Sequence, residues 1–340
     1  MDSTAVPAIP AARVPVLDLP ATTADTLVDA LRRNSCVFLT GLDEFSTGGS
    51  FGADLTAMLE ASQEFFALEP EQKTPVRWPG TGEWAGWQPL YEGGPDALLL
   101  ERYELALPDP AAYADDAGWA ASFPLWPKRP ARLTASWTAY YRTARALTNR
   151  LVEMIGEALG LPVADLPAWT TRQHSNLCVN HYLAQPEAPA PGQTRQRPHA
   201  DIGGLTLLWA DGRSGLEAAL GADGAWVPVD FPPGAILLQA GDLLHLWTRG
   251  QIPKNLHRVV NPPRTPGAAQ TDRYSVVFFH HPDLDTWVAP ALPASPERTA
   301  AGSPTEDSDC AVEGRSATEG PGVGARDHVL ARQRAAYTLP

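Results

Sequence analysis

The stretch Arg197-Pro198-His199-Ala200-Asp201-Ile202-Gly203-Gly204-Leu205-Thr206-Leu207-Leu208-Trp209 decides how this chain is read. On a strand, residues two apart point the same way, so His199 and Asp201 share a face. An imidazole and a carboxylate so placed can grip one side of a metal ion. A second histidine from a distant strand completes a two-histidine, one-carboxylate facial triad. That donor set leaves metal positions open, as oxygen-activating non-haem Fe(II) requires.

The sequence downstream of about residue 176 has a strand-like period. Apolar runs at 177–183, 205–209, 215–220, 226–231, 235–239, 243–247, 256–260 and 274–279 are separated by Gly, Pro and Asp. Many short strands with regular turn signals indicate a double-sheet jelly roll. The upstream part is mixed. It reads as strands at 14–19, 36–39 and 101–107, helices at 24–34, 53–68 and 131–159, and a Trp/Gly/Pro-rich loop at 74–95. The fold class expected is mainly β with flanking helices around a double-stranded β-helix (jelly-roll) core. The expected organisation is a leader region over 1–130 packed on the barrel, then a long helix and jelly-roll core over 131–289. A flexible low-complexity loop over 290–325 and a helix over 326–340, placed to close the barrel mouth, complete it.

Net charge is −13, which disfavours nucleic acid and anionic membranes as partners. No secretory signal and no bilayer-length apolar run is visible. Cys36, Cys178 and Cys310 are widely spaced and form no disulfide framework, so a reducing cytoplasm is the expected compartment. The expected partner is a small-molecule substrate, and the expected oligomeric state is a monomer.

The candidate for the second histidine is His257, in Asn255-Leu256-His257-Arg258-Val259-Val260, with an ordinary core or surface histidine as the competing reading. Arg273 and Ser275, two apart on a later strand, form a second pair. A guanidinium binds a carboxylate through two charge-assisted hydrogen bonds, and a hydroxyl adds another. A buried arginine needs an anion, either a carboxylate ligand or a structural Asp or Glu. Asn180 and Tyr182 repeat the spacing, while Leu177, Val179 and Leu183 face the other way, toward covering helices.

Taken in order, these motifs resemble the isopenicillin N synthase-like branch of the 2-oxoglutarate/Fe(II)-dependent dioxygenases. The resemblance runs through His199-Ala200-Asp201, Gly215-Leu216-Glu217, Trp226-Val227-Pro228-Val229, Gly241-Asp242, Trp247-Thr248, His257-Arg258-Val259 and Arg273-Tyr274-Ser275. It extends upstream to Val14–Leu19 and Phe65-Phe66-Ala67-Leu68. It implies Fe(II) on His199, Asp201 and His257. It implies 2-oxoglutarate held at its far carboxylate by Arg273 and Ser275, with Asn180 and Tyr182 assisting, and O2 at a remaining metal position. Decarboxylation to succinate then yields a ferryl-oxo species that attacks a small organic molecule, by hydroxylation or by desaturation or cyclisation. Asp201 argues against a halogenase, in which chloride replaces the carboxylate. Two alternatives stand beside this reading. One is an oxidase that dispenses with 2-oxoglutarate, with Arg273 and Ser275 on the substrate's carboxylate. The other is a non-catalytic jelly-roll binder.

Departures from the pattern fall in the Pro-rich 261–272 segment, at Arg249, and in the 290–325 insertion. For the substrate, Trp84 and Trp87 are candidates to line the mouth, and packing of the leader is the competing role. Phe279 shares the parity of Arg273 and Ser275. Arg195 and Arg197 read as solvated charges in a polar loop, with contact to an acidic substrate as the alternative, and His280 and His281 as surface groups.

Overall fold

The computed structural model describes residues 13–46, 49–79, 85–89, 100–106, 126–162, 164–171, 173–185, 193–213, 215–220, 224–261, 271–293 and 322–337. The strands are β1 (Val16–Asp18), β2 (Cys36–Thr40), β3 (Gly86–Gln88), β4 (Leu100–Ala106), β5 (Asn176–Tyr182), β6 (Thr194–Ala200), β7 (Leu205–Ala210), β8 (Leu216–Leu220), β9 (Ala225–Pro228), β10 (Ile236–Ala240), β11 (Leu256–Val260), β12 (Arg273–His280), β13 (Trp287–Val288) and β14 (Val323–Gly324). The helices are α1 (Ala24–Asn34), α2 (Phe51–Phe66), α3 (Pro70–Lys73), α4 (Leu133–Leu159), α5 (Leu166–Thr170), α6 (Asp242–Trp247) and α7 (Ala325–Tyr337).

Two sheets build the barrel. The larger runs β1-β2-β10-β7-β12-β5-β4-β3, and the smaller runs β6-β11-β8-β9. Apart from the parallel β1–β2 pair, the named pairs are antiparallel. The expected mainly β jelly roll is therefore what forms. Strands from residues 16–106 are built into the larger sheet, β1 and β2 against β10 at one end, β3 and β4 against β5 at the other.

Alternation along the strands divides the core in two. Leu177, Val179, Leu207, Val276 and Phe278 face outward and pack with α4 residues in the main apolar cluster. On α4, Trp137, Tyr140, Ala144, Leu147, Leu151 and Ile155 recur every three or four residues, so one stripe is buried. Gly160, at φ 60°, ends the helix in the left-handed conformation that suits glycine. The opposite parity, Cys178, Tyr182, Leu208 and Val277, faces inward and meets Leu216, Ala218 and Val259 of the smaller sheet.

Two expected elements differ. The 243–247 run is helix α6, not a strand: Leu243, Leu244, Leu246 and Trp247 are all buried and His245 is its one polar residue, so a run this short carries no readable period. Trp247 stacks on Trp169 with ring centroids 4.3 Å apart. Conversely, the polar 194–200 segment is strand β6. It lies at the edge of the smaller sheet, where exposed polar side chains and Pro198 are tolerated.

Residues 294–321, most of the expected low-complexity loop, lie outside the described residues. Helix α7 docks on the start of α6. His328 Nε2 and Arg332 Nη2 reach Asp242 Oδ2 at 3.1 and 2.8 Å, and Lys254 Nζ reaches Asp242 Oδ1 at 3.2 Å. Burial opposes the charge on Asp242, but these partners outweigh it and hold the carboxyl far below the usual range. Val329 of α7 packs with Leu284 and Ile202, beside Asp201.

Candidate active site

β6 and β11 pair so that His199 and His257 lie directly across from one another. Their rings are 4.3 Å apart. Each Nδ1 faces a backbone carbonyl, Arg197 O at 2.8 Å for His199 and Asn255 O at 3.3 Å for His257. An Nδ1–H donated there leaves Nε2 with its lone pair free. Both Nε2 atoms turn to one carboxylate oxygen, Asp201 Oδ1, at 3.8 and 3.9 Å. Asp201 lies just past the end of β6, and its other oxygen accepts the Thr206 hydroxyl at 2.6 Å. The three donor atoms lie within 4.8 Å of one another, a set that could hold one metal ion. Loss of solvation, then the neighbouring His257, lower the His199 imidazole below its usual value, which favours the neutral form that can ligate.

The turn carrying Asp201 is gripped by its surroundings. Asp242 N–H donates to Asp201 O at 2.8 Å, and Leu243 N–H to Gly203 O at 3.0 Å. A Cβ on Gly203 would sit 2.3 Å from His280 O, and one on Gly241 would sit 2.2 Å from Gly203 O. Glycine at both positions lets β12, α6 and the turn close on one another.

Further along the barrel, Arg273 pairs with Tyr182 and Ser275 with Asn180 across the β12–β5 ladder. Asn180 Nδ2 donates to Ser275 Oγ at 3.2 Å. The Arg273 guanidinium carbon lies 4.7 Å from the Tyr182 ring centroid. Arg273 is 2% exposed and, among the described residues, donates only a long Nε–H bond of 3.4 Å to Arg213 O and leaves Nη1 with no partner. A buried guanidinium with an orphaned donor fits a ligand carboxylate.

The other sequence candidates separate. Phe279 keeps the inward parity and lies between Thr206 and Asn176 in register. Trp87 does not line this chamber. It shares the outward parity of Tyr103 and Val179, and its indole N–H donates to Glu101 Oε2 at 2.7 Å. There it joins a knot in which Lys73 and His181 also hold Glu101. Trp84 lies outside the described residues. His280 and His281 are buried, not superficial, and burial pushes them down to about 4 and about 3. Arg195 is likewise buried, at 2% exposed, with its guanidinium carbon 5.9 Å from the Tyr182 ring.

Sequence reading alone places three inward polar residues wrongly or not at all. Arg195, read as solvated, is one. Arg102 and Glu104 of β4 are the others, in register with Asn180 and Cys178. Their alternation with Tyr103 and Leu105 is the signal that could have found them.

The 2OG-Fe(II) oxygenase superfamily model matches residues 174–282, which span β5 to just past β12. Validamycin A dioxygenase of Streptomyces hygroscopicus subsp. limoneus is 32% identical over 276 residues, 76% of this chain and 72% of its own. Homoarginine-6-hydroxylase 2-ODD-233 of Oryza sativa subsp. japonica is 29% identical, covering 68% of this chain and 70% of its own. Among solved structures, a 2OG-Fe(II) oxygenase family protein from Caulobacter crescentus superposes with a TM-score of 0.74 at 24% identity, over 96% of this chain and 99% of that one. JOX2 in complex with 2OG, Fe and JA superposes with a TM-score of 0.66 at 22% identity, over 83% and 78%. These structural likenesses bear on the fold. Sequence identity sustained over most of both chains, on top of the family match, makes this chain a member of the 2OG-Fe(II) oxygenase superfamily, an Fe(II)- and 2-oxoglutarate-dependent dioxygenase acting on a small molecule.

Proposed function

We propose that His199, Asp201 and His257 hold the Fe(II), and that Arg273, Ser275, Asn180 and Tyr182 receive the far carboxylate of 2-oxoglutarate. The observation that carries this reading is the convergence of both Nε2 atoms on Asp201 Oδ1, 3.8 and 3.9 Å away. Bound iron supplies activation of O2, coupled to conversion of 2-oxoglutarate into succinate and carbon dioxide. The chain's own residues do the positioning. The carbonyls of Arg197 and Asn255 fix the imidazole tautomers, and Thr206 fixes the Asp201 carboxylate so that Oδ1 faces the metal. The inward apolar groups Cys178, Leu208 and Val277 keep water from the chamber.

The substrate is a small organic molecule of specialised metabolism, with hydroxylation as the base reaction and Phe279 against the substrate. The names of the relatives that act on validamycin A and homoarginine support a substrate of that size. The protein works as a monomer in the cytoplasm, without nucleic-acid or membrane partners. Among the described residues, Cys36 and Cys178 are buried and unpaired, which suits a reducing compartment, and no helix is long and apolar enough to cross a membrane.

Anaerobic addition of Fe(II) and then 2-oxoglutarate should produce a weak visible charge-transfer band. Turnover should release one succinate per product. Product without succinate would transfer the reading to an oxidase that dispenses with the acid; neither band nor oxygen uptake would refute it.

A further inference from the structure

Two arginines reach one tyrosine from opposite sheets. Arg273 comes from β12 of the larger sheet and Arg195 from β6 of the smaller, with guanidinium carbons 4.7 and 5.9 Å from the Tyr182 ring centroid. Both are 2% exposed. Arg195 donates its Nε–H to the neutral Asn261 Oδ1 at 3.3 Å. Among the described residues, neither arginine has a carboxylate within ion-pair distance. The acids whose charge reaches Arg195 are engaged elsewhere. Asp211 Oδ2 accepts the Tyr274 N–H at 2.9 Å. Asp272 holds His181 Nε2 at 3.0 Å and the Ala184 N–H at 2.8 Å.

Two buried guanidinium groups on one ring, with no acid between them, repel each other, and burial adds to the cost. Arg273 alone could be satisfied by one face of a carboxylate. Arg195 approaches from the other wall of the barrel, so a carboxylate at Tyr182 would be met from both sides.

We propose that Arg195 is a second binding residue for the distal carboxylate of 2-oxoglutarate, which it and Arg273 clamp between the two sheets. This rests on the cosubstrate reading above and extends it to a residue outside the Arg-x-Ser pair. The clamp recognises the far carboxylate and not the 2-oxo acid end. It therefore sets selectivity for a five-carbon 2-oxo diacid over a 2-oxo monoacid of the same length. Succinate carries the same distal carboxylate, so the clamp also binds the product.

The test compares 2-oxoglutarate with 2-oxopentanoate, which has the same carbon chain and 2-oxo acid end but no far carboxylate. Binding is read from the charge-transfer band under anaerobic Fe(II), and for succinate by calorimetry on metal-free protein. Arg195→Gln should weaken 2-oxoglutarate by about 10- to 100-fold, weaken succinate in parallel, and leave 2-oxopentanoate and Fe(II) affinity unchanged. Arg195→Lys, which keeps the charge and loses the fork, should fall between; it carries the comparison if the glutamine variant does not fold. Unchanged 2-oxoglutarate affinity overturns the proposal, as it would if Arg195 served a substrate's anion. Equal weakening of both oxo acids overturns it too, since that marks a structural lesion. If wild-type protein shows no band with 2-oxoglutarate, the cosubstrate reading itself has failed; a wild-type band that Arg195→Gln leaves intact removes only Arg195.

Discussion

Replacing Glu104 with glutamine should stabilise the protein at alkaline pH and not at acid pH. Glu104 is fully buried on the inward face of β4. Its Oε1 accepts the Asn176 amide N–H at 3.2 Å, while Oε2 has no partner. Burial raises its pKa from 4.5 to about 7, against the opposing charge of Arg102 and the Asn176 bond. The folded state therefore holds the proton more tightly than the unfolded chain. Below the unfolded value both states are protonated and pH has no effect. As pH rises toward 7 the unfolded chain ionises freely, the folded chain does not, and native stability is lost; above about 7 the loss is complete. At roughly 1.4 kcal/mol per pH unit, the gap amounts to about 3 kcal/mol, most of which accrues between pH 5 and 8. Glutamine keeps the shape and the acceptor for Asn176 but cannot ionise. Urea unfolding followed by tryptophan fluorescence at pH 5 and pH 8 measures the effect. Glu104→Gln should gain about 2–3 kcal/mol over wild type between those conditions. Wild-type and variant stabilities that run parallel across that range would show that Glu104 ionises as freely in the barrel as in water, and would refute the reasoning.

His199→Ala, Asp201→Ala and His257→Ala should each abolish turnover, and any of the three that stays fully active leaves the ligand set. Thr206→Val should leave folding intact but lower metal affinity by about 10- to 100-fold, since it frees the Asp201 carboxylate to rotate; equal Co(II) affinities in titration would remove the hydroxyl from that role. Arg273→Ala should mainly raise the concentration of 2-oxoglutarate needed for half-maximal rate, and an unchanged requirement contradicts its assignment. His181 is pulled down by burial but raised more by its bonds to Glu101 and Asp272, so it ends above 6.5. Its contribution is complete below 6.5 and fades as pH rises through the folded value, so His181→Gln should lose more stability at pH 6 than at pH 9. A loss independent of pH would mean that the ring packs there uncharged.

The His199, Asp201 and His257 cluster and the Arg273 and Ser275 pair could be picked from the sequence because each contains a two-residue spacing within an ordered set of motifs, and cross-strand register brings their members together. His199 pairs with His257 across one ladder, and Arg273 with Tyr182 across another. What the sequence concealed has physical causes. The 243–247 run carries a single polar residue, His245, too little to tell a helical period from an extended one, and the helix is fixed by its own bonds, among them His245 N–H to Gly241 O at 3.1 Å and Thr248 N–H to Leu244 O at 2.9 Å. The 194–200 segment lacks apolar alternation because an edge strand needs little of it. Arg195 looked solvated for the same reason, although it alone in that strand is buried. Trp87 could be given either of its two roles, lining the mouth or packing the leader, because a three-residue strand offers too little pattern to set its parity.

The two faces of the larger sheet argue for what the barrel interior is for. Along β5 and β12 the outward residues Leu177, Val179, Val276 and Phe278 form an ordinary apolar core with α4. The inward positions on β4, β5 and β12 carry Arg102, Glu104, Asn176, Asn180, Arg273 and Ser275 among a few apolar groups. Stability alone would favour hydrophobic residues on both faces, because buried polar atoms without partners cost about 1–3 kcal/mol each. Glu104 Oε2, Asn176 Oδ1 and Arg273 Nη1 are such atoms, and all three belong to the inward face. Arg273 Nη1 is the one among them that a ligand carboxylate fits. A cosubstrate diacid accounts for the arginine end. Along the larger sheet the inward face is cationic at Tyr182 and carries Glu104 and Asn176 toward the other end, where Phe279 is in register with both Asn176 and Thr206.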